Sequence, residues 1–274
     1  VTAPVFVMTP QTLEPAGAVA LAGVGDLLTL GGPEGRHAVS VRRLRAGERV
    51  DLVDGDGLRL VCEVLDAVAQ GRKDRLAVRV VERLVEPAES LTLALVQALA
   101  KGDRDSQAVE TATEVGAGLV LPWQAERCVS VWKGPKAAKG RDRWQATALQ
   151  AAKQARRARV PRVAEPMGTP ALADWTREVR LCGGLVLVLH EESDRPIGDV
   201  PLPEPDRSGE GRAPVLAVVV GPEGGISEAE TALLEAAGAV TVRLGPHVMR
   251  TSSAGPVALA VLAQRAGLWG QGAS

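Results

Sequence analysis

Two short segments hold residue types with which a protein could grip a ligand and act on it. The first is Gly221-Pro222-Glu223-Gly224-Gly225-Ile226-Ser227-Glu228-Ala229-Glu230, directly after the apolar run Val215 to Val220. Glycines in a strand-to-helix turn let a ligand approach the backbone closely and leave N–H groups free to donate. Ser227 and Glu230 have the spacing of a capping box, so a helix begins there. The turn is not a Walker loop, because no Gly-Lys-Ser/Thr follows, and it lacks Gly-x-Gly-x-x-Gly spacing. Composition by itself favours an ordinary βα turn. The second segment, Leu244-Gly245-Pro246-His247-Val248-Met249-Arg250-Thr251-Ser252-Ser253-Ala254, follows the strand-like Val240-Thr241-Val242-Arg243. It sets Arg250 just ahead of Val257 to Ala263, a run apolar on every side and therefore expected as a buried helix. A buried guanidinium there could hold a negatively charged ring by charge-assisted hydrogen bonds. A surface or capping arginine is the plainer role.

Such segments need a frame that brings strand ends together. Leu185 to Leu189 and Val215 to Val220 do not alternate, as expected of strands buried on both faces of a parallel sheet. Helical patterns fall between them. Trp144, Ala148, Ala151, Ala152 and Ala155 form one apolar stripe, with Lys153, Arg156 and Arg157 on another face. Ala229, Ala232, Leu233, Ala236 and Ala237 form a second stripe. Strands alternating with helices predict an α/β domain, whose ligands bind at the carboxyl ends of the strands. The Pro-, Gly- and charge-rich stretch 199–214 reads as an exposed, mobile loop. The first part of the chain differs. Val5 to Val7, Arg49 to Val53, Leu58 to Val64 and Leu76 to Val81 are short and largely alternating, and Asp54-Gly55-Asp56-Gly57 is a hairpin signal. A small β-barrel over 1–84, a linker near Glu86-Pro87-Ala88-Glu89 and an α/β domain over 91–274 follow.

Composition bounds the function. The 274 residues are 46% apolar, enough for two cores. With five Trp, one Phe and no Tyr, the cores are aliphatic and few rings are available to stack on bases. A net charge of −1 excludes a wholly basic nucleic-acid binder but leaves room for local patches. Cations cluster at Arg42, Arg43 and Arg45, at Lys133, Lys136, Lys139, Arg141 and Arg143, and at Lys153, Arg156, Arg157 and Arg159. Any one cluster reads as a solvated face, whereas several point to a polyanionic partner. Cys62, Cys128 and Cys182, like His37, His190 and His247, are scattered, which argues against disulfides and against a metal site. No apolar run approaches the roughly 18 residues of a membrane span, and no leader pattern is present. A soluble, cytoplasmic protein is expected.

The pair Gly-Pro-Glu-Gly-Gly at 221–225 and Leu-Gly-Pro-x-Val-x-Arg-Thr at 244–251 resembles the RsmE family of ribosomal RNA methyltransferases, in the SPOUT superfamily. Matches run through nearly the whole chain: His37, Val41, Arg43, Gly47, Asp54-Gly55, Lys101-Gly102-Asp103-Arg104, Glu126-Arg127-Cys128, Arg143-Trp144, Gln154, Arg157 and Val160-Pro161. Each is weak alone; their order and spacing are specific. The resemblance implies an N-terminal PUA-like barrel that helps bind RNA and a C-terminal α/β SPOUT domain with a parallel sheet, ending in a deep trefoil knot, a known exception to unknotted chains. It implies S-adenosylmethionine as cofactor, a homodimer, no membrane or metal partner, and methylation of N3 of a uridine in 16S ribosomal RNA of the small subunit, near the decoding region. Carried over residue by residue, it assigns the cofactor to Leu189 and His190, to Gly221, Pro222, Glu223, Gly224 and Gly225, and to Leu244, Gly245, Val248, Met249, Ser253 and Ala254. Candidate RNA contacts are Arg42, Arg43, Lys101, Arg104, Gln154 and Arg157. The family usually has Arg at His247, Glu-Thr at Ser252-Ser253 and Glu at Lys153, so a catalytic role for the first of those glutamates does not transfer.

Methylation of uracil N3 asks for near-attack geometry and for loss of the N3 proton, aided by a base or by a cation that stabilises the deprotonated ring. N3 lies on the pairing edge, so the base must be unpaired or flipped out. Arg250 is the candidate for orienting or stabilising the ring. Glu223 and Glu114 are the acidic candidates, although Glu114 shares a helix face with Glu110 and a solvated pair is the plainer role. Two other functions fit the residues: a SPOUT enzyme with another target, such as a ribose 2′-oxygen, and a catalytically degenerate RNA-binding assembly factor, prompted by His247 and Ser252.

Overall fold

The computed structural model describes residues 3–70, 74–206, 208 and 211–269. The chain divides into two compact units, Val1–Pro87 with Ala152–Val160, and Ala88–Ala151 with Pro161–Ser274.

The first unit contains β1 (Val5–Val7), β2 (Leu13–Glu14), α1 (Ala18–Leu21), β3 (Leu27–Leu30), α2 (Gly32–Arg36), a π-helical turn (His37–Val41), β4 (Arg49–Val53), β5 (Leu58–Val68) and β6 (Arg75–Val85). Its strands form one curled six-stranded sheet in the order β1-β4-β5-β6-β3-β2. β2 and β3 are additional to the strands read from sequence. The Asp54–Gly57 signal is a hairpin between β4 and β5, in which Asp54 Oδ1 accepts from the amides of Asp56 and Leu58 at 2.7 and 3.0 Å. Alternation in β5 points Leu60, Cys62 and Val64 inward, where they meet Phe6, Met8, Leu30, Leu52 and Leu76. Residues 152–160 join this unit through Arg159, which donates to the carbonyl oxygens of Asp56 and Glu86 at 2.6 and 3.1 Å.

The second unit contains β7 (Thr92–Ala98), α3 (Arg104–Val115), β8 (Leu119–Gln124), α4 (Pro135–Gln154, whose last residues belong with the first unit), β9 (Arg162–Val163), β10 (Met167–Gly168), α5 (Thr169–Leu181), β11 (Leu185–Leu189), β12 (Val215–Val220), α6 (Glu228–Ala236), β13 (Val240–Val242) and α7 (Thr251–Arg265). The sheet is parallel throughout, in the order β10-β8-β7-β12-β11-β13, with β9 beside β8. β7, β8, β11 and β12 are buried along nearly their whole length, which is why they read as unbroken apolar runs. α3 and α7 cover one face, packing Ala108, Ala112, Ala258 and Leu259 on Leu95, Leu187 and Val218. α5 and α6 cover the other, packing Leu172, Ala173 and Leu234 on Val96, Val186 and Val219. The protein is therefore α/β, with helices on both faces of a parallel sheet.

α7 approaches the sheet so closely that a Cβ at Gly255 would stand 2.5 Å from Leu95 Cδ1 and 3.1 Å from Val220 Cγ2. Overpacking there costs about 1–3 kcal/mol, more than the roughly 0.3–0.5 kcal/mol Val gains over Gly in a helix. Gly255→Val is expected to lower the melting temperature; an unchanged melt would show that α7 can move off the sheet freely.

Three expectations are corrected here. The α4 stripe holds for Trp144, Ala148, Ala151 and Ala152, but Ala155 lies beyond the helix end and is exposed. Lys153, expected on a polar face, is buried against Glu34. The α6 stripe holds for Leu233 and for Ala237 just past the helix end, but Ala229, Ala232 and Ala236 are exposed, and Glu230 and Leu234 face inward instead. Alanine sits as readily outside as inside, so a stripe made of it carries little directional information. The stretch 199–214, of which 207, 209 and 210 lie outside the described residues, is exposed or half-buried at every described position but Val200; around its start Ile197 and Val200 are buried, Arg265 donates to both their carbonyl oxygens at 2.8 Å, and the Asp206 amide reaches Ser90 O at 2.7 Å.

Candidate functional site

β11 pairs with β12 on one side and with β13 on the other, all in parallel. The segments that follow these three strands therefore leave the same edge of the sheet side by side: His190, then 221–225, then 244–250. β7 pairs with the free side of β12, so Lys101 to Arg104 leave from this edge too. The chain first builds outward from β7 to β8, then returns to place β12 and β11 on the opposite side of β7. Ligands of open α/β sheets bind outside the carboxyl ends of the strands at such a reversal.

The glycine turn is anchored from below by its helix. Ser227 Oγ accepts from the Glu230 amide at 3.3 Å, and Glu230 Oε2 accepts from the Ser227 amide at 3.2 Å. The other Glu230 oxygen accepts from the Glu126 amide at 2.9 Å and from the Thr169 hydroxyl at 2.7 Å. This fixes the loop 125–134 against the turn. A Cβ at Gly221 would stand 2.7 Å from Ile226 Cγ1, and one at Gly224 would stand 3.2 Å from Arg127 Cβ. Both glycines serve the packing of the turn itself. Gly245 differs: nothing lies within 4 Å of the place its Cβ would occupy. Beside it, Leu244 is half-buried, Val248 is 77% exposed and Met249 is 38% exposed.

Gln97, which the sequence reading missed, is the internal tie between these loops. It lies one residue from the end of β7, fully buried, and its Nε2 donates to Thr251 Oγ1 at 2.9 Å and to Ala98 O at 3.1 Å. Thr251 Oγ1 in turn donates to Gly221 O at 2.9 Å, so the start of α7 is bonded to the glycine turn. Gln97 Oε1 is buried without a partner among the described residues. Leaving such an oxygen unsatisfied costs about 1–3 kcal/mol. The available signal was the amide itself, which interrupts an otherwise apolar run from Leu93 to Ala100.

The ionisable candidates divide. Arg250 is exposed, which corrects the expectation of a buried guanidinium. Only its backbone caps α7, the carbonyl accepting from the Ser253 and Ala254 amides at 2.9 and 3.0 Å, and the side chain is left free to project. Glu223 accepts from Arg104 Nη1 at 2.9 Å and from the Lys101 amide at 3.4 Å. The burial it has pushes its carboxyl up, but bonds from its own amide, Arg104 and Lys101 outweigh this and hold it below the usual carboxylate range. An acid so held is a weak proton acceptor, and Glu223 works as a clasp between the glycine turn and Lys101–Arg104. Glu114 and Glu110 are exposed on α3, and about 15 Å of helix separates Glu114 from Arg104. The structure does not bring Glu114 to these loops. Lys101 and Arg104 stand at the site edge; Arg42 and Arg43 are exposed in the first unit, as is Gln154, while Arg157 is half-buried. His247 is exposed and Ser252 is buried in the first turn of α7. Among the described residues no group of three or more His, Cys, Asp or Glu is placed to hold a metal, and no helix is long and apolar enough to cross a membrane.

A parallel sheet with glycine-bearing loops gathered at one carboxyl edge, preceded by a curled β-unit, defines the class. The chain belongs to the RNA methyltransferase domain family, whose sequence profile matches residues 87–263; the profile of the RNA methyltransferase PUA domain matches residues 30–68. It is 43% identical over 254 residues to ribosomal RNA small subunit methyltransferase E of Mycobacterium tuberculosis (strain CDC 1551 / Oshkosh), covering 93% of this chain and 92% of that one. The protein of the same name from Bacillus subtilis (strain 168) is 33% identical over 232 residues, covering 84% of this chain and 87% of the other. The crystal structure of a ribosomal RNA small subunit methyltransferase E from Neisseria gonorrhoeae bound to S-adenosyl methionine superposes with a TM-score of 0.77 at 26% identity, covering 96% and 98% of the two chains.

Proposed function

We propose that this protein methylates N3 of a uridine in 16S ribosomal RNA of the small subunit, near the decoding region, with S-adenosylmethionine as donor. It acts in the cytoplasm as a homodimer, residues 1–84 binding RNA and residues 91–274 carrying the site and closing a trefoil knot. The observation that carries this reading is the gathering of three loops at adjacent parallel strand ends, two of them bonded together through Gln97 and Thr251. The names of the relatives and the ligand of the Neisseria gonorrhoeae protein support it.

The residues present suit the cofactor. The open space at Gly245, the apolar Leu189, Leu244, Val248 and Met249, and the orphaned Gln97 Oε1 offer room, apolar contact and an acceptor. His190, the 221–225 turn, Ser253 and Ala254 complete the group that would hold it. When bound, S-adenosylmethionine supplies a methyl carbon on a sulfonium. The chain's own residues must hold the uracil unpaired and oriented. Arg250, projecting from the rim, stabilises the negative charge left when N3 loses its proton. Glu223 keeps Lys101 and Arg104 in place. The exposed Val248, Met249 and Val257 give a second copy an apolar strip to cover.

Gly245→Val tests the cofactor loop. The new side chain enters open space, so the melt is expected to stay unchanged while affinity for S-adenosylmethionine falls about 5–150-fold, the scale of about 1–3 kcal/mol of overpacking in the complex. An unaltered Kd by calorimetry would remove Gly245 from the cofactor site. Mapping modified nucleotides in 16S ribosomal RNA with and without the protein tests the product: a protein-dependent N3-methyluridine is expected, and a ribose 2′-O-methyl group in its place overturns the reading.

A further inference from the structure

We propose that a ridge of cations leading from the glycine turn along the start of α4 is a track for the phosphate backbone of the substrate RNA; this rests on the function proposed above. The ridge begins at Arg127, which donates to Gly224 O at 3.1 Å, and at Arg104, bonded to Glu223 at 2.9 Å. The residue after Arg104, Asp105, is buried and lies 3.3 Å from Arg143 Nη2. From Arg143 exposed cations continue back along α4 at Lys139 and Lys136, and then at Lys133 just ahead of the helix. Lys136, Lys139 and Arg143, at i, i+3 and i+7, share one face over about 10 Å.

The lysines of the ridge are unfavourably placed for α4 on its own. The first turn of α4 carries no acid to meet the helix dipole, and Lys136 stands at its positive end. Like charges one turn apart add a repulsion of about 0.2–0.5 kcal/mol. Among the described residues no carboxylate comes within ion-pair distance of Lys133, Lys136 or Lys139, whereas Arg104, Arg141 and Arg143 are all paired. A polyanion laid along the ridge relieves both penalties at once. The backbone beneath is held firmly: Gln124 donates to Ser130 O at 3.1 Å and accepts from the Trp132 amide at 3.0 Å. The Trp132 ring meets Trp144 edge-on at 5.1 Å and presses on Gly140, where a Cβ would stand 2.5 Å from Cε2. Cations presented on an ordered support lose less freedom on binding. The ridge also starts where the reacting base must enter, and a base turned out of its stack leaves its flanking phosphates at that rim.

The test uses the full chain with Lys133→Ala, Lys136→Ala and Lys139→Ala combined, against a Lys→Arg triple variant and the unaltered protein. The probe is a 16S ribosomal RNA fragment, titrated at several salt concentrations. Loss of three contacts to single-stranded RNA is expected to reduce the slope of log affinity on log salt by about 2 and to weaken binding at least about tenfold at moderate salt. The Arg variant keeps the slope, S-adenosylmethionine affinity is unchanged in both, and melting falls in neither. A wild-type slope and affinity in the Ala variant overturn the track while leaving the enzymatic reading intact. A reduced slope alongside no methyl transfer by the unaltered protein would retain the track and sink the enzymatic reading.

Discussion

Replacing Lys153 by alanine is expected to destabilise the first unit by about 3–5 kcal/mol, the cost of stranding one member of a buried ion pair. The Lys153 and Glu34 side chains are 7% and 17% exposed, and Nζ stands 2.7 and 2.8 Å from the two carboxylate oxygens. The same ammonium lies 5.6 Å above the Phe6 ring, and Glu34 Oε2 also accepts from the Val7 amide at 3.1 Å. His37 stands beside the pair, with Nδ1 at 3.4 Å from Nζ. Burial first, and then the nearby Lys153, lower its pKa. Lys153→Glu, which sets two carboxylates against each other, is expected to cost more still. The double variant Lys153→Met with Glu34→Gln removes both charges, keeps an acceptor for Val7, and should recover most of the loss. Urea unfolding reads all three; a Lys153→Ala change within about 0.5 kcal/mol of zero, the range of an ordinary surface substitution, would show the pair to be idle.

Arg250→Ala is expected to slow single-turnover methylation about a hundredfold, the scale set by loss of one donor aimed at developing negative charge. Such an interaction is stronger in the transition state than in the ground state, so turnover falls more than RNA binding does. The structure makes this variant clean. The cap of α7 uses the Arg250 carbonyl, which alanine keeps, and the exposed side chain makes no cap hydrogen bond. Melting temperature and S-adenosylmethionine affinity should therefore be unchanged. Arg250→Lys should restore only part of the rate, because an ammonium lacks the planar fork of a guanidinium. A normal rate in the folded Ala variant removes Arg250 from the mechanism.

What the sequence by itself determined is what short-range physics controls. A strand buried on both faces has no polar positions, so β11 and β12 were legible as unbroken apolar runs. The Asp54–Gly57 hairpin and the Ser227–Glu230 cap were legible because each closes its hydrogen bonds within four residues. The glycine turn and the loop at 244–254 were visible as compositions, but their adjacency was not. That depends on the chain returning from β13, beyond β11, so that Thr251 bonds to Gly221 and Gln97, a choice made by contacts between distant segments. Lys153 carried no local mark of burial, since the partner that makes burial tolerable is 119 residues away in sequence. Gln97 became meaningful only once the start of α7 was folded over it, and Arg250 proved exposed because its backbone, not its side chain, begins that helix. The tertiary structure decided these points because the energy of a charged or polar group depends on which groups surround it in space, and no periodicity along the chain records that.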